Sequence, residues 1–266
     1  MHILLTNDDG IDSPVLPVLK TELDKVATTT VFTPSKNWSA SGHPKTMHRS
    51  LRVDEFEWPD GSTAYKSDGA PPDCVALAFL GILDTRPDLI VSGINLGSNL
   101  GYDVFYSGTV AAAVEAAIDN VPAIAFSRMY PFETHDFSMH SKFAAKLAAS
   151  VLEHGLPADM ILNVNFPMAS WDKIQGVHIT RLGRRIYLDE LIKRKDPKGR
   201  NYYWIGGEPS AEVVNEHGTD VWAIENNFIS ITPLGLDWTA HRMIEDIKRW
   251  HLEDLWEATN KDDSNK

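Results

Sequence analysis

The chain opens Met1-His2-Ile3-Leu4-Leu5-Thr6-Asn7-Asp8-Asp9-Gly10 and continues Ile11-Asp12-Ser13-Pro14-Val15. Ile3-Leu4-Leu5 reads as a short buried strand. Ser13-Pro14 then reads as a helix opening, because serine can cap free amides and proline tolerates the first helical position. Val15, Leu19, Leu23 and Val26 follow at steps of four, four and three, which gives one apolar helical face. Thr30-Val31-Phe32-Thr33 is the next strand. A strand, a helix and a strand in succession form the unit of a parallel sheet.

The same rhythm continues outward. Leu89-Ile90-Val91 and Ala123-Ile124-Ala125-Phe126 are further short apolar runs, each just after a proline. A helix over about 107–119 is rich in alanine, which allows close packing on a sheet. Phe143, Leu147 and Val151 mark another helical face. The fold class expected is α/β, a Rossmann-like parallel-sheet three-layer domain. In such folds ligands sit at the carboxyl ends of the strands. After about residue 167 the pattern changes. Gly176 to Thr180 still reads as a strand. Arg181-Leu182-Gly183-Arg184-Arg185, Asp196-Pro197-Lys198-Gly199-Arg200 and Tyr202-Tyr203-Trp204 then combine turn residues with β-formers. They predict an extended C-terminal hairpin or arm, read as an oligomer contact because three adjacent large aromatics are costly to expose. The expected organisation is a single domain over 1–260, with a core to about 170, an arm over about 181–215, a C-terminal segment over about 216–260 and a frayed tail over 261–266.

Composition excludes several classes. The 266 residues carry 37 acidic and 25 basic side chains, a net charge of −12. Such a chain is a poor binder of duplex nucleic acid. The excess is uneven: residues 181–200 hold eight basic and three acidic residues, so the remainder is more acidic still. The single cysteine, Cys74, excludes an internal disulfide and disfavours a cysteine-built zinc site; it reads as packed core. The start of the chain lacks the roughly 7–15 apolar residues of an export signal. The longest apolar stretch, Cys74 to Leu83, falls short of the roughly 20 residues that span a bilayer. A cytoplasmic protein with no membrane partner is expected.

Three stretches can carry chemistry. Asp8 and Asp9 follow the first strand, where two adjacent carboxylates repel and are costly to bury without a cation. A hard divalent ion with oxygen ligands removes that cost; the alternative is a solvated turn that caps the next helix. Ser92-Gly93-Ile94-Asn95-Leu96-Gly97-Ser98-Asn99-Leu100-Gly101 follows a central strand, and its glycines let backbone approach a ligand while Asn95 and Asn99 offer amide groups. Tyr106-Ser107-Gly108-Thr109 opens the alanine-rich helix, where free amides and the helix dipole favour an anion, or where Ser107 simply caps its own helix. No Walker loop, dinucleotide fingerprint or Gly-x-Ser-x-Gly elbow is present. Ser39 lies in the loop after the second strand, on the ligand side. His43 and His48 read as solvent-exposed, and Asp237 with His241 as a structural pair.

Taken in order, these stretches resemble the SurE (survival protein E) family of phosphomonoesterases. The matching residues are Ile3 through Gly10, Asn37 with Ser39, Gly69-Ala70-Pro71-Pro72-Asp73-Cys74, Pro87 through Asn99, and Tyr106 through Ala111. Further on come Asn163-Val164-Asn165-Phe166-Pro167, Thr180-Arg181, Tyr202-Tyr203-Trp204 and Ser230 through Leu234. The resemblance implies a metal-dependent 5′-nucleotidase that hydrolyses nucleoside monophosphates, in some members also 3′-nucleotides and short polyphosphate. It implies one divalent ion, Mg²⁺ or Mn²⁺, held by Asp8, Asp9, Ser39 and Asn95. Asp8 and Asp9 are the catalytic candidates, and the phosphate side falls on Asn99, Ser107, Gly108 and Thr109. A homodimer or homotetramer is implied as well. The chain departs from the pattern at Ala70, where threonine is usual; at Trp38, where a polar residue is usual; and at Ala40 and Asn227, where glycine is usual. Asparagine tolerates positive φ, so the turn at Asn227 is expected to survive. The rival readings are a non-catalytic nucleotide-binding regulator of the same fold and a phosphoacceptor receiver domain.

Overall fold

The structure is a computed structural model that describes residues 1–130, 136–185, 190–206, 216–256 and 259. Parts of the expected arm (186–189 and 207–215) and all of the expected tail lie outside the described residues. The chain forms two compact units, Met1–Leu234 and Gly235–Lys266.

The large unit begins with strand β1 (His2–Thr6), whose Ile3, Leu4 and Leu5 are fully buried. Helix α1 (Val15–Leu23) buries Val15, Leu16, Leu19 and Leu23. It is shorter than the periodicity predicts, because the chain turns at Val26, whose amide donates to Leu23 O at 2.8 Å. The predicted serine cap is not formed either. Ser13 Oγ is buried with no partner among the described residues, and its carbonyl instead accepts from Leu16 N at 3.2 Å. Strand β2 (Thr28–Pro34) pairs parallel with β1, with Ile3 opposite Thr29.

A hairpin of β3 (Val53–Glu57) and β4 (Thr63–Ser67) follows, then helix α2 (Pro71–Leu77), strand β5 (Leu89–Asn95), helix α3 (Gly108–Ile118), strand β6 (Ala123–Arg128), helix α4 (Ser138–His154) and strand β7 (Met160–Phe166). After β8 (Gly176–Ile179) come β9 (Glu190–Lys195), β10 (Asn201–Gly206), helix α5 (Asp220–Glu225) and β11 (Phe228–Gly235). Nine strands form one sheet in the order β3-β4-β2-β1-β5-β6-β7-β11-β8. The pairs β2–β4, β1–β2, β1–β5, β5–β6, β6–β7 and β8–β11 are parallel, and β3–β4 is antiparallel. The α/β reading holds.

The sheet order reverses direction around β1: β2 lies on one side and β5 on the other. The crevice outside the carboxyl ends of β1 and β5 is therefore a topological switch point, the place where open α/β sheets take ligands. The core supports this crevice from below. Ala112, Ala113 and Ala116 of α3 are fully buried, which lets the helix sit close to the sheet, and Phe126 stacks on Phe166 at 6.2 Å. The hairpin β9–β10 is antiparallel, with Tyr202 opposite Arg194 and Tyr203 opposite Lys193. Both its strands are exposed apart from half-buried Gly206; Tyr202, Tyr203 and Trp204 are exposed, and the Lys193 ammonium lies 5.8 Å from the centre of the Tyr203 ring.

Asn227 adopts φ +60, so that turn survives the loss of glycine. Cys74 is buried, as expected. In the small unit, helix α6 (His241–Lys248) is exposed throughout, and Asp237 Oδ2 lies 2.6 Å from His241 Nε2. Among the described residues no helix is long and apolar enough to cross a membrane.

Candidate active site at the switch point

The first site element is the turn after β1. Asn7 closes it from both sides: its Oδ1 accepts from Gly10 N and its Nδ2 donates to Gly10 O, both at 3.1 Å. Asn7 thereby fixes the turn, and the Asp8 carboxylate takes from it only its own amide. Asp8 points under the start of α3 and is only 2% exposed. Its Oδ1 accepts from Thr109 Oγ1 at 2.5 Å, and the amides of Gly108 and Thr109 also donate to it. Gly108 is required here for space. A Cβ on it would lie 2.8 Å from Asp8 Cβ and 3.1 Å from Asp8 Oδ2.

The electrostatics of the pair are unfavourable as they stand. Burial raises the Asp8 carboxyl above the usual range, against the pull of its donors. Asp9 is half-buried; burial, then the charge of Asp8, push it up to about 6, with only the Leu96 amide opposing. Asp9 Oδ2 is buried with no hydrogen-bond partner, and Asn37 Nδ2 reaches Oδ1 only at 3.4 Å. No lysine or arginine of the described residues is among the groups acting on either carboxylate. An orphaned carboxylate oxygen beside a second buried carboxylate fits a divalent cation, whose charge would reverse both penalties.

The second element is the end of β5. A bulge between Ser92 and Asn95 breaks the register with β6 at the carboxyl end of β5. Gly93 makes the bulge possible. Its φ is +128, and a Cβ there would lie 2.3 Å from Phe126 O. Asn95 Nδ2 donates to Gly97 O at 2.9 Å, which leaves the amide oxygen for a cation.

Asn99 is held more firmly than its loop position suggests. Its amide donates to Asn165 Oδ1 at 2.8 Å, and its carbonyl accepts from Asn163 Nδ2 at 2.9 Å and Asn165 Nδ2 at 3.1 Å. Its own Nδ2 donates to Ser127 Oγ at 2.7 Å. The Asn99 side chain is thus partly spent on a buried amide layer. Sequence reasoning assigned Asn163 and Asn165 no role. The available signal was their spacing of two on a strand, which puts both on one face.

The third element is the N-terminus of α3. Ser107 Oγ caps it by accepting from Val110 N at 3.1 Å, so that hydroxyl is engaged as a cap. The fourth is the loop after β2. Trp38 N donates to Asp8 O at 2.8 Å, and Ser39 N donates to Asn37 Oδ1 at 2.8 Å. Ser39 is exposed, and no described residue bonds its hydroxyl. The Lys36 ammonium lies 5.5 Å from the centre of the half-buried Trp38 ring. Ala40, where glycine is usual, takes φ +55. The structure thus joins Asp8 to Gly108 and Thr109, and brings the chain neighbours of Ser39 and Asn95 to the aspartates: Trp38 and Asn37 on one side, Leu96 on the other; Ser107 and Asn99 are spent on a helix cap and on the amide layer.

Asp220 was also missed. It is fully buried and accepts from Gly101 N at 2.8 Å, Gly183 N at 2.7 Å and Val221 N at 2.8 Å. Burial raises its carboxyl, and these amides oppose the rise. It ties the base of the arm to the end of the Asn95–Asn99 loop. Only Thr219, which caps α5, hinted at it.

Fold and site together define a doubly wound α/β protein with a buried carboxylate against a helix N-terminus, and a second carboxylate beside it, at its switch point. The chain belongs to the survival protein SurE family, whose family model matches residues 3–189. It is 50% identical over 240 residues to the 5′-nucleotidase SurE of Herpetosiphon aurantiacus, covering 90% of this chain and 94% of that one. It is 47% identical over 255 residues to the 5′-nucleotidase SurE of Chloroflexus aggregans, covering 95% and 100%. The crystal structure of the SurE protein from Aquifex aeolicus superposes with a TM-score of 0.81 at 38% identity, covering 94% of this chain and 100% of that one.

Proposed function

We propose that this chain is a divalent-metal-dependent 5′-nucleotidase that hydrolyses nucleoside 5′-monophosphates to nucleoside and phosphate. As in some members of the family, 3′-nucleotides and short polyphosphate are further candidate substrates. The observation that carries the reading is the buried Asp8 carboxylate, held by Thr109 and the first amides of α3 beside an Asp9 oxygen that has no partner.

Asp8 and Asp9 would hold one Mg²⁺ or Mn²⁺, with Ser39 and Asn95 completing the protein ligands. Among the described residues no group of three or more His, Cys, Asp or Glu could hold a metal, so such a site depends on neutral oxygens as well as the two carboxylates. When bound, the ion supplies charge for the phosphoryl oxygens and acidity for a water molecule. Thr109 keeps Asp8 oriented, and the α3 N-terminus favours negative charge where the phosphoryl group gathers it. Asn163, Asn165 and Ser127 hold the Asn99 segment, which would border the phosphate. The exposed aromatics of the arm, Tyr202, Tyr203 and Trp204, support a homodimer or homotetramer. The single buried thiol, Cys74, fits a reducing, cytoplasmic compartment.

The test is phosphate release from AMP, GMP and p-nitrophenyl phosphate with Mn²⁺ and then with EDTA. Turnover that disappears on chelation is expected. Asp8→Asn is expected to abolish it while the fold is kept. Undiminished turnover by Asp8→Asn in Mn²⁺ sinks the assignment.

A further inference from the structure

The loop that carries Ser39 is exposed, yet a metal ligand must be held in place. Two ties bracket Ser39 closely: Trp38 N to Asp8 O at 2.8 Å before it, and Gly42 N to Tyr106 O at 2.9 Å after it. Beyond Gly42 the chain runs along α3 and meets a charge that the helix pattern does not explain. Glu115 stands in the run Val110-Ala111-Ala112-Ala113-Val114-Glu115-Ala116-Ala117 and is only 3% exposed. A carboxylate on a buried alanine face is costly unless it is paired. Both its oxygens are used: Oε2 lies 2.9 Å from His43 Nε2, and Oε1 accepts from Lys45 Nζ at 2.8 Å. His43 and Lys45 are two apart, so on an extended loop they share the face turned to the helix. Thr46 then ties to the buried Asp73 through its amide at 2.9 Å and its hydroxyl at 2.6 Å.

We propose that Glu115 is a positioning residue for the metal site: through His43 and Lys45 it clamps the loop to α3 and so fixes Ser39 relative to Asp8 and Asp9. This rests on the metal-dependent reading above. Helix α3 then serves as one rigid frame for both sides of the site. Its first turn holds Asp8 through Gly108 and Thr109, and Glu115, two turns further on, holds the loop. Ala40 and Gly42 both have positive φ, so the short span carrying Ser39 is bent back sharply, and its far end needs anchoring. Residues that orient metal ligands from behind typically change affinity by roughly 10–100-fold when removed.

The experiment is calorimetric titration of Mn²⁺ into the substrate-free protein, alongside steady-state kinetics across Mn²⁺ concentration. Glu115→Gln keeps the shape and removes the charge; its Kd for Mn²⁺ should rise roughly tenfold. Lys45→Met removes one tie at the surface and should move Kd in the same direction by a smaller factor. In both, kcat at saturating Mn²⁺ should fall far less than the affinity does. Glu190→Gln on the arm, which removes the same charge elsewhere, should leave Kd alone. A merely structural Glu115 would lower the melting temperature without moving Kd. Wild-type Kd in both folded variants overturns the proposal, and if Glu115→Gln does not fold, Lys45→Met decides alone. A wild-type protein that binds no Mn²⁺ overturns the metal reading itself, and the clamp with it.

Discussion

Asp9→Asn should stabilise the metal-free protein while destroying its function. The Asp9 carboxyl stands at about 6 in the fold, against an ordinary value near 4 in an unfolded chain. A raised value on an acid means that the folded state prefers the protonated form. Ionised Asp9 therefore opposes folding; the penalty is absent below about pH 4, grows as pH rises toward 6, and is complete above that. Its full size is about 3 kcal/mol; because Asp9 is only half-buried, solvent screening reduces this to about 2 kcal/mol. Asparagine has the same shape and no charge, so it removes the penalty. For a chain of this size that is roughly 4–8 °C in melting temperature. The assay is a pair of thermal melts in EDTA, at pH 7.5 and pH 4.5. The variant should melt higher at pH 7.5, and the gain should shrink strongly at pH 4.5. Adding Mn²⁺ should reverse the order, because only the wild type gains a ligand. A variant that melts at or below wild type in EDTA at pH 7.5 refutes the reasoning.

Other residues give independent checks. His140 is buried among Phe137, Phe166 and Trp171, and burial, with the nearby Arg128 charge, holds it down at about 4. Its neutral form supports the fold fully above about pH 6.5, and that support is lost as pH falls toward 4; by pH 5 the loss is about 2 kcal/mol. His140→Phe should flatten this acid dependence in urea titrations at pH 7 and pH 5. Gly108→Ala places a methyl group 2.8 Å from Asp8 Cβ, and should lower kcat/KM by about 100-fold through displacement of the helix start. Asp220→Ala strands three buried amides and should cost about 3 kcal/mol in chemical denaturation; a loss below 1 kcal/mol would remove Asp220 from its role as a tie.

The legible parts of the chain are those where a local rule and the global fold agree. β1 and α3 are such cases: an apolar run before two acids, and an alanine face behind a serine cap. The β3–β4 hairpin escaped because its strands are half-exposed and carry no clean alternation. Ser13 satisfied a capping rule that the backbone turn then made unnecessary. Glu115 escaped for the opposite reason. Read locally, a glutamate in a helix is a solvated residue; only the loop passing over α3 makes it a buried anchor. Asp220 is likewise defined by Gly101 and Gly183, which no local pattern connects to it. Of the site, the residue types and their order could be read from sequence, whereas the buried layer of Asn163, Asn165 and Ser127 beneath Asn99 needed the sheet to bring β6 and β7 under the loop after β5.

The site also explains how a chain of net charge −12 can handle an anion. Here the described groups that favour the charged forms of Asp8 and Asp9 are amides and a hydroxyl, all neutral. Neutral donors alone cannot offset two adjacent carboxylates next to a phosphate, since each like charge at close range opposes binding by several kcal/mol at low effective dielectric. Substrate affinity must therefore depend on the cation and not only turnover. In EDTA, AMP should fail to bind at millimolar concentration by calorimetry, and Asp8→Asn with Asp9→Asn should restore weak, metal-independent binding by removing the repulsion. Tight AMP binding to the chelated wild type would mean that a positive group outside this crevice holds the phosphate.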